Sequence, residues 1–559
     1  MTDYRWLRHY DPGVPHTLEP YPPLTMLDVL ADSAGQRPGH PMLIYQGREV
    51  SCGEMEDHSN ALAAALIDWG VRKGDRIALL FLNCPQSFIA FFALWKAGAI
   101  AVPLNPLYTP AELERSLNDV AAEVALVGSL WYGTLKSIQP RTRLRRVVTT
   151  DLDTYAQTVL KKEAGGLEPG SGDCRWSDLL ERHRGSPRPD VAVAADDTAV
   201  ILFSGGTTGL PKGVMGSHHS LIITGMQVTA WFRGLATPWQ DRMLVPLPLF
   251  HAFGIYSAFG VGLMDHLTMV LILNPRDVKN VIDTIRDFQV AAMAVSPSML
   301  TAILDHPDLK PDDLKSLRRA ASGAAPLMME TKRRFEARIS GPITEGYGLT
   351  EGTLAMTATP ARGVWKQGSV GIPMPDVAVR VVDMETGTEE MAPNMPGEVL
   401  IRAPQLMQGY WGRPAETAEA VRGGWLFTGD IGYLDEDGYL FLTSRKKDVI
   451  KCGGFQVWPR DVEEVLSTHP AVAEVCVGGI PDAHQVEAVK AWVVLREGWE
   501  MTAEELQVFC RRALTGYKVP RHVEFRDSLP KTLVGKVLRR MLQEQEQEKQ
   551  RAKDSPKSR

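Results

Sequence analysis

The chain has 559 residues and a formal net charge of −6, from 61 Lys and Arg against 67 Asp and Glu. Apolar residues make up 44% and charged residues 23%, as in an ordinary soluble globular protein, and the length predicts more than one domain. The mildly acidic balance argues against a nucleic-acid binder held by a basic surface.

Six cysteines are spread along the chain without a close pair of the zinc or redox type, which favours a reducing compartment. Residues 1–15 are polar and charged and lack the apolar core of a signal peptide. Two uncharged stretches, 77–95 and 243–264, raise the question of a membrane span. Asparagine, proline or glycine residues interrupt both, so we expect strands, turns and buried helices there instead.

Up to about residue 195, short apolar strands alternate with amphipathic helices, and a second stretch of this type runs over 196–340. The clearest segments are DRIALLFLN (strand), SFIAFFALWKAG (buried helix), AIAVPLN (strand) and TPAELERSLNDV (helix). Thr109 is the expected N-cap of the last of these helices. This alternation is typical of α/β layers.

From 368 to 444 the sequence becomes β-rich, and Asp437-Gly438 between two strand-like runs predicts a hairpin. The remainder is mixed, with helices expected in DVEEVLSTHP and TAEELQVFCRRAL and a strand in AEVCVGGIPD. Thr502 and Glu505 have the spacing of a capping box. The polar tail, 543–559, is expected to be frayed or disordered.

A glycine-rich loop, SGGTTGLPKG (204–213), follows the apolar run TAVILF. Crowded glycines permit unusual backbone angles, so amide N–H groups can converge on an anion. Thr207 and Thr208 add hydroxyl donors, and Lys212 adds a positive charge. The loop is not a Walker loop, because Gly213 stands where that motif has Ser or Thr. A flexible connection is the simpler interpretation, but this set of residues favours polyphosphate binding.

This loop resembles the phosphate loop of the adenylate-forming superfamily, which includes acyl-CoA synthetases, luciferases and the adenylation domains of peptide synthetases. Further segments resemble other motifs of the superfamily in the same order, so the resemblance covers nearly the whole chain. That order predicts adenylate formation. Within the loop, the resemblance implies ATP contacts from Ser204, Gly206, Thr207, Thr208, Gly209 and Lys212.

Two segments, SGAAP (322–326) and EGYGLTE (345–351), resemble the adenine-binding pieces of the superfamily. Small residues let the main chain lie along a flat base, and Tyr347 offers a ring for stacking. Thr350 can donate to the α-phosphate, and Glu351 can hold Mg²⁺, which prefers carboxylate oxygen. Taken alone, such residues more often form a turn and a helix cap. The implied ATP contacts are Gly323, Ala324, Glu345, Gly346, Tyr347 and Thr350, with Glu351 as the metal ligand.

Three later segments complete the set: GWLFTGD ending at Asp430, SRKKDVIKCGGFQVWP (444–459) and LPKTLVGKVLRR (529–540). They resemble the ribose-binding strand, the linker between the two domains and the C-terminal motif of the superfamily. A carboxylate such as Asp430 can accept two hydrogen bonds from vicinal hydroxyls. The resemblance implies ATP contacts at Asp430, Arg445, Lys451, Gln456 and Lys536, a CoA passage at Gly453 and Gly454, a hinge at Lys447, and catalysis by Lys536 with Thr350 and Glu351.

The acyl group is indicated by four segments that look most like bacterial long-chain fatty-acid–CoA ligases: LPLFHAFG, NPRD (274–277), QGYWGRPAETA and the C-terminal segment 509–540. The run 251–264 contains no carboxylate, whereas an amino-acid-activating pocket usually places one there to pair the substrate ammonium. GIYSAFGVGLM suits an alkyl tail, which gains roughly 0.8 kcal/mol per buried CH₂. The predicted acyl pocket comprises His251, Ile255, Gly323 and Gly348. Ile255 stands where some relatives have a gating tryptophan, so the chain length stays open.

The resemblance implies an α/β fold with a large N-terminal α/β domain that carries a β-rich subdomain (1–445) and a small, mobile α+β C-terminal domain (446–559). The implied reaction is ATP-dependent ligation of a fatty acid to CoA through acyl-AMP, with Mg²⁺ and with release of AMP and pyrophosphate. No nucleic acid is an expected partner. The expected location is the cytoplasm, while a homodimer and peripheral contact with the inner face of the membrane stay open.

Other functions stay open from the sequence. The same machinery with a shorter pocket would serve a medium-chain or aryl acid–CoA ligase, and an acyl-AMP former could load a carrier protein instead of CoA. A silent lipid-binding or scaffold protein on this fold is a third alternative. The intact set of predicted site residues argues against that silent protein.

Overall fold

The structure is a computed structural model that describes residues 4–157, 169–170, 172–204, 211–452, 455–482, 486–532 and 535–554. Its α-helices are α1 (Met26–Gln36), α2 (Cys52–Asp68), α3 (Pro85–Lys96), α4 (Pro110–Asp119), α5 (Ser129–Ile138), α6 (Trp176–Arg182), α7 (His218–Trp231), α8 (Ala252–Ile255), α9 (Val278–Asp287), α10 (Pro297–Leu304), α11 (Met329–Glu336), α12 (Pro414–Ala420), α13 (Pro459–Ser467), α14 (Ala503–Arg511) and α15 (Arg539–Asp554). A π-helix spans Tyr256–Leu263, and 3₁₀ turns span Arg5–His9, Gln139–Arg141, Thr350–Gly352 and Gly516–Lys518.

The strands are β1 (Pro41–Tyr45), β2 (Arg48–Ser51), β3 (Arg76–Leu80), β4 (Ile100–Pro103), β5 (Val124–Gly128), β6 (Arg146–Thr150), β7 (Cys174–Arg175), β8 (Thr198–Phe203), β9 (Gly213–Ser217), β10 (Arg242–Val245), β11 (Thr268–Leu271), β12 (Ala292–Val295), β13 (Arg319–Ser322), β14 (Ile343–Leu349), β15 (Leu354–Ala358), β16 (Ile372–Pro373), β17 (Ala378–Val382), β18 (Gly397–Arg402), β19 (Gly409–Tyr410), β20 (Val421–Arg422), β21 (Trp425–Leu434), β22 (Leu440–Arg445), β23 (Ile450–Cys452), β24 (Phe455–Val457), β25 (Val472–Asp482), β26 (Val486–Leu495) and β27 (His522–Phe525).

The chain divides into two compact units. Of the described residues, those up to 378 together with 402–426 form unit 1, while 379–401 and those from 427 onward form unit 2. Much of the β-rich segment therefore groups with the C-terminal residues. The domain boundary between 445 and 446 stays a prediction from the resemblance.

Unit 1 contains two large sheets. The first has nine strands in the order β16-β15-β14-β13-β12-β10-β11-β1-β2, and the second has eight in the order β19-β9-β8-β4-β3-β5-β6-β7. Their central strands pair in parallel, and β4, β5, β11 and β12 are buried along their whole length. Such strands need cover on both faces, so near-continuous apolar runs separated by helices produce this α/β arrangement.

The uncharged stretches form strands, turns and buried helices, as predicted. The first supplies β3 and the fully buried α3, and the second supplies β10, α8 and the π-helix. Phe88, Phe91 and Trp95 of α3 pack against Phe259 of the π-helix, with ring centroids 4.8, 5.0 and 5.2 Å apart. Among the described residues, no helix combines the length and the apolar character that crossing a membrane requires.

Local signals at helix and strand ends are confirmed. Thr109 caps α4 and accepts a hydrogen bond from the Glu112 N–H at 3.3 Å, and Thr502 caps α14 in the same way through Glu505. The turn at Gly438, which has φ of +86°, joins β21 and β22 into the expected hairpin. The two caps form locally because each threonine side chain satisfies a backbone group within four residues. The turn forms locally because glycine readily adopts a positive φ.

Unit 2 contains a five-stranded C-terminal sheet in the order β24-β23-β26-β25, with β27 paired in parallel to β26. Helices α13, α14 and α15 accompany it, and its core includes Val462, Leu506 and Trp492. The prediction of a frayed or disordered tail is wrong as far as Asp554, because α15 extends to that residue. Glu546 pairs with Lys490 at 2.7 Å and Lys549 with Glu524 at 3.0 Å, contacts that tail composition alone does not reveal.

Candidate active site

The predicted phosphate loop connects β8 to β9, which pair antiparallel in unit 1. The Ser204 N–H donates to the Lys212 carbonyl at 2.9 Å, so these two residues close the base of the loop. Lys212 pairs with Glu416 and lowers the pKa of that carboxyl. Its Nζ also lies 4.8 Å from the ring centroid of Tyr410. The predicted ATP contacts Gly206, Thr207, Thr208 and Gly209 lie outside the described residues.

Tyr410 connects this lysine to the EGYGLTE motif. Its hydroxyl donates to Glu351 Oε1 at 3.0 Å. Burial and the charge of Glu351 raise the pKa of Tyr410, so the phenol stays protonated and remains a donor at neutral pH. Lys212, Tyr410 and Glu351 therefore stand in a row within unit 1. Sequence reasoning missed Tyr410, although the segment QGYWGRPAETA that contains it carried part of the resemblance.

Glu351 fits the role of a magnesium ligand. It lies in the 3₁₀ turn Thr350–Gly352, and its backbone carbonyl accepts a hydrogen bond from the Met407 N–H at 2.9 Å. Among the described residues, no three His, Cys, Asp or Glu side chains cluster as a complete protein metal cage would require. One or two carboxylates suffice for Mg²⁺ when substrate phosphates and water supply the remaining oxygens. The donor set is therefore suited to a metal that arrives with a nucleotide.

The two predicted adenine-binding pieces lie side by side because β13 and β14 pair in parallel, with Ser322 opposite Glu345. Glu345 is 3% exposed, and its Oε1 accepts a hydrogen bond from the Leu327 N–H at 3.0 Å. The turn after β13 places Ala324 at φ of +70°, in the left-handed region. Glu345 thus supports the turn that carries Gly323 and Ala324.

The hairpin of β14 and β15 carries the rest of this motif. Gly346 lies opposite Ala358, Tyr347 opposite Thr357 and Gly348 opposite Ala355, with a register shift between Tyr347 and Gly348. A Cβ atom on Gly348 would lie 1.4 Å from the Leu354 carbonyl oxygen. Only glycine therefore allows this approach of the two strands. Tyr347 is 9% exposed, and Thr350 begins the turn that follows.

Two of the predicted acyl-pocket residues, His251 and Gly323, lie against Phe253. His251 caps α8, because its Nδ1 accepts a hydrogen bond from the Phe253 N–H at 3.2 Å. A Cβ atom on Gly323 would lie 3.1 Å from the Phe253 ring. Ile255 is fully buried, and the run expected to suit an alkyl tail is the buried π-helix. Gly348 is exposed. The nearest neighbours of Gly348 lie in the hairpin itself, since a Cβ atom there would meet Leu354 and Ala355.

In unit 2, Asp430 of β21 lies opposite Arg445 of β22, and Arg445 Nε is 2.9 Å from Asp430 Oδ1. Lys536 is half-buried, and its N–H donates to Thr532 Oγ1 at 3.1 Å. Burial, together with the charge of Arg445, lowers the pKa of Lys536 to about 8. The predicted ribose-binding pair and the predicted catalytic lysine therefore influence one another electrostatically.

The linker residues also lie in unit 2. Lys451 of β23 and Gln456 of β24 are cross-strand partners, and the Lys451 N–H donates to Glu487 Oε2 at 2.7 Å. Gly453 and Gly454, the predicted CoA passage, lie outside the described residues. Lys447 is exposed in the turn between β22 and β23.

Next to that turn, Asp448 accepts a hydrogen bond from Arg539 at 2.6 Å, and Glu463 of α13 accepts another from the same guanidinium at 2.8 Å. Burial opposes the charge of Arg539, but the carboxylates of Glu463 and Asp448 outweigh it and raise the pKa of Arg539. Arg539 therefore connects the segment beside Lys447 to the segment that carries Lys536. Arg539 lies only three residues after Lys536 in the sequence. This spacing could have indicated its role, but Arg539 was not among the site residues predicted from the sequence.

Comparison with protein families gives two matches to this chain. A model described as AMP-binding enzyme matches residues 30–411, and one described as AMP-binding enzyme C-terminal domain matches residues 461–536. The chain belongs to the AMP-binding enzyme family. The predicted resemblance and the predicted fold class are thereby confirmed.

Full-length relatives of this AMP-binding enzyme include a long-chain-fatty-acid–CoA ligase of Bacillus subtilis (strain 168), which is 35% identical, with 97% of this chain and 98% of the relative covered. The 4-coumarate–CoA ligase 2 of Oryza sativa subsp. japonica is 34% identical, with 91% and 90% covered. Among solved structures, the anthranilate CoA ligase AuaEII in complex with anthranoyl-AMP is similar with a TM-score of 0.84, at 28% identity and with 95% and 98% covered.

Proposed function

We propose that this AMP-binding enzyme is an ATP-dependent long-chain fatty-acid–CoA ligase. The observation that carries the proposal is the row of Lys212, Tyr410 and Glu351, with the Tyr410 hydroxyl 3.0 Å from Glu351 Oε1 and the Lys212 Nζ 4.8 Å from the Tyr410 ring centroid. A cation beside a metal-binding carboxylate suits the binding and departure of a polyphosphate.

In the first half-reaction, a carboxylate oxygen of the acid attacks the α-phosphorus of ATP. The bond between that phosphorus and the bridging oxygen of the β-phosphate breaks, and pyrophosphate leaves with its electron pair, giving acyl-AMP. Negative charge on the phosphoryl oxygens is stabilised by Thr350 and Lys536, while Lys212 binds the leaving pyrophosphate. Mg²⁺, held by Glu351 when bound, supplies further charge neutralisation.

In the second half-reaction, the sulfur of CoA attacks the acyl carbon of acyl-AMP. The bond from that carbon to the phosphate oxygen breaks, AMP leaves, and the thiol proton passes to solvent or base. Asp430 and Arg445 hold the ribose in both steps, and Lys451 and Gln456 line the adenylate. Rotation at Lys447 withdraws Lys536 and admits CoA past Gly453 and Gly454.

The assignment to fatty acids rests on two supports. The relatives named long-chain-fatty-acid–CoA ligase align over 97% of the chain, and the segment after His251 is apolar and free of carboxylates. A buried, unpaired ammonium would be costly there, so an amino acid is a poor substrate. The similarity to a 4-coumarate–CoA ligase supports an aryl acid–CoA ligase as the second candidate.

The test is ATP-dependent thioester formation by the purified chain with CoA and acids from butyrate to oleate, with benzoate and 4-coumarate included. We expect kcat/KM to increase with chain length and to be highest for long-chain acids, because each buried CH₂ adds affinity. A maximum at an aryl or short acid would contradict the assignment to long-chain acids but would still support the two-step ligase reaction. Acyl-AMP without any thioester would indicate a carrier-protein acceptor instead.

A further inference from the structure

Tyr410 is held rigidly beside the phosphate-loop lysine by its backbone. It lies opposite Val214 in the antiparallel pair of β19 and β9, the strand that begins immediately after Lys212. The Trp411 N–H donates to the Gly213 carbonyl at 2.8 Å, and the Tyr410 N–H donates to Thr417 Oγ1 at 2.9 Å. The position of this ring is therefore set by the strand that leaves the phosphate loop.

The side chain of Tyr410 makes two contacts that point to one ligand. Its hydroxyl donates to Glu351 Oε1 at 3.0 Å, and its ring lies 4.8 Å from the Nζ of Lys212. The residue is 9% exposed, so its ring and hydroxyl are largely shielded from water. A hydrogen bond on one carboxylate oxygen fixes the direction of the other, and an aromatic face attracts an ammonium without neutralising it.

Lys212 also forms an ion pair that it can exchange for phosphate oxygens. It pairs with Glu416, and Arg413 holds the same carboxylate at 3.2 Å while also pairing with Asp119 at 3.1 Å. When Lys212 turns toward phosphate oxygens, Glu416 keeps a cationic neighbour in Arg413. The exchange therefore leaves no isolated carboxylate behind.

We propose that Tyr410 is a positioning residue for Mg²⁺-bound ATP: its hydroxyl orients the Glu351 carboxylate toward the metal, and its ring sets Lys212 beside the phosphates. This inference rests on the proposed function. It names the residue that positions two of the side chains, Glu351 and Lys212, that the proposed function uses to bind ATP and its metal. Tyr410 touches neither the metal nor the reacting atoms in this role. It acts through the two side chains that do.

The test separates metal-dependent from metal-independent nucleotide binding in the full chain. Calorimetry measures the Kd for ATP with excess Mg²⁺ and again with EDTA, for the wild type and for Tyr410→Phe. We expect the preference for Mg²⁺-bound ATP to fall about tenfold in Y410F, because the hydrogen bond to a charged carboxylate is lost. Metal-free binding stays within about twofold, because the ring that faces Lys212 remains.

Two further variants control the interpretation. Tyr433→Phe removes a hydroxyl from a half-buried tyrosine stacked on Phe441 in unit 2, and we expect unchanged binding. Glu351→Gln should abolish most of the Mg²⁺ preference, and adding Y410F to it should have no further effect on that preference. An unchanged Mg²⁺ preference in Y410F, or an equal additional loss in the E351Q background, would overturn the inference.

The binding test is independent of the acid substrate. A wild type that prefers Mg²⁺-bound ATP but forms neither acyl-AMP nor thioester would contradict the proposed function while leaving the role of Tyr410 supported. Normal thioester formation together with an unchanged Mg²⁺ preference in Y410F would contradict only the role of Tyr410. A wild type without any Mg²⁺ preference would overturn both.

Discussion

At the scale of single residues, Lys536 is a side chain of the proposed site whose charge depends on its surroundings. Its ammonium is half-buried and shares unit 2 with the cation of Arg445 and the carboxylates of Asp430 and Asp448. Burial and Arg445 together lower the pKa of Lys536 to about 8, so the charged form is present at neutral pH but is easily lost.

Lys536→Ala should stop acyl-AMP formation while preserving thioester formation from preformed acyl-AMP. Removal of one preorganised donor in a transition state typically costs ~10²–10³ in rate, and the proposed mechanism uses this donor in the first step only. Single-turnover assays of the two half-reactions measure the difference. An equal loss of rate in both half-reactions of a folded variant would contradict the claim that Lys536 acts in the first step only.

The pH dependence should follow the same lysine. Below pH 8 the Lys536 ammonium is protonated, and above it the charge is lost, so kcat/KM for ATP in acyl-AMP formation should fall about tenfold per pH unit. Lys536→Arg should remove this decline, because a guanidinium stays charged throughout that range. The pH profile of each protein between 6.5 and 9.5 provides the comparison, with thioester formation from preformed acyl-AMP as the internal control. A decline that K536R retains would assign the pKa to another group.

At the scale of elements, the hairpin of β14 and β15 determines how the EGYGLTE motif is presented. The register shift between Tyr347 and Gly348 redirects the strand just before Thr350 and Glu351. Thr353 in the connecting turn adopts φ of +57°. The hairpin therefore depends on residues that accept an unusual backbone geometry or a close approach.

Gly348→Ala should destabilise this hairpin, because the added methyl group would lie 1.4 Å from the Leu354 carbonyl oxygen. Backbone displacement on this scale typically lowers the free energy of unfolding by about 1–3 kcal/mol. Urea unfolding measures the change, and binding of Mg²⁺-bound ATP should weaken with it because Glu351 lies in the turn of this hairpin. Gly516→Ala is the matched control, since nothing lies within 4 Å of a Cβ atom there. A similar loss in both variants would argue against a specific role for the hairpin.

Sequence patterns predicted helices and hairpins correctly where interactions within a few residues decide the structure. The capped helices at Thr109 and Thr502 and the hairpin at Gly438 are confirmed, because each depends on hydrogen bonds or backbone angles within a few residues. The tail, 543–554, was predicted wrongly because its helix is stabilised by distant partners. Lys490 and Glu524 lie on strands of the C-terminal sheet, and no local pattern reveals them.

At the scale of the whole molecule, the proposed mechanism requires a change at Lys447 between the two half-reactions. This residue is exposed in the turn between β22 and β23, and Asp448 beside it is bound by Arg539. A turn of this kind can absorb changes in φ and ψ without disturbing a buried core.

Lys447→Pro should therefore impair thioester formation about tenfold or more while leaving acyl-AMP formation close to that of the wild type. Proline restricts φ to about −65°, which limits the rotation that the second step requires. Single-turnover rates of both steps are the measurement, and Lys447→Ala, which removes the charge without restricting φ, is the control. Similar rates in K447P and K447A would exclude a hinge at this position.

By itself, the sequence determined the family, the α/β fold class and the order of the site motifs, because glycine-rich loops, caps and apolar periodicity act over short spans of chain. Only the tertiary structure decided that Tyr410 stands between Lys212 and Glu351, and that Arg539 joins Asp448 to Glu463. These contacts link residues that are well separated along the chain, and the register of β9 with β19 brings Tyr410 beside Lys212. Such proximity results from sheet pairing and side-chain burial, which no spacing along the chain specifies.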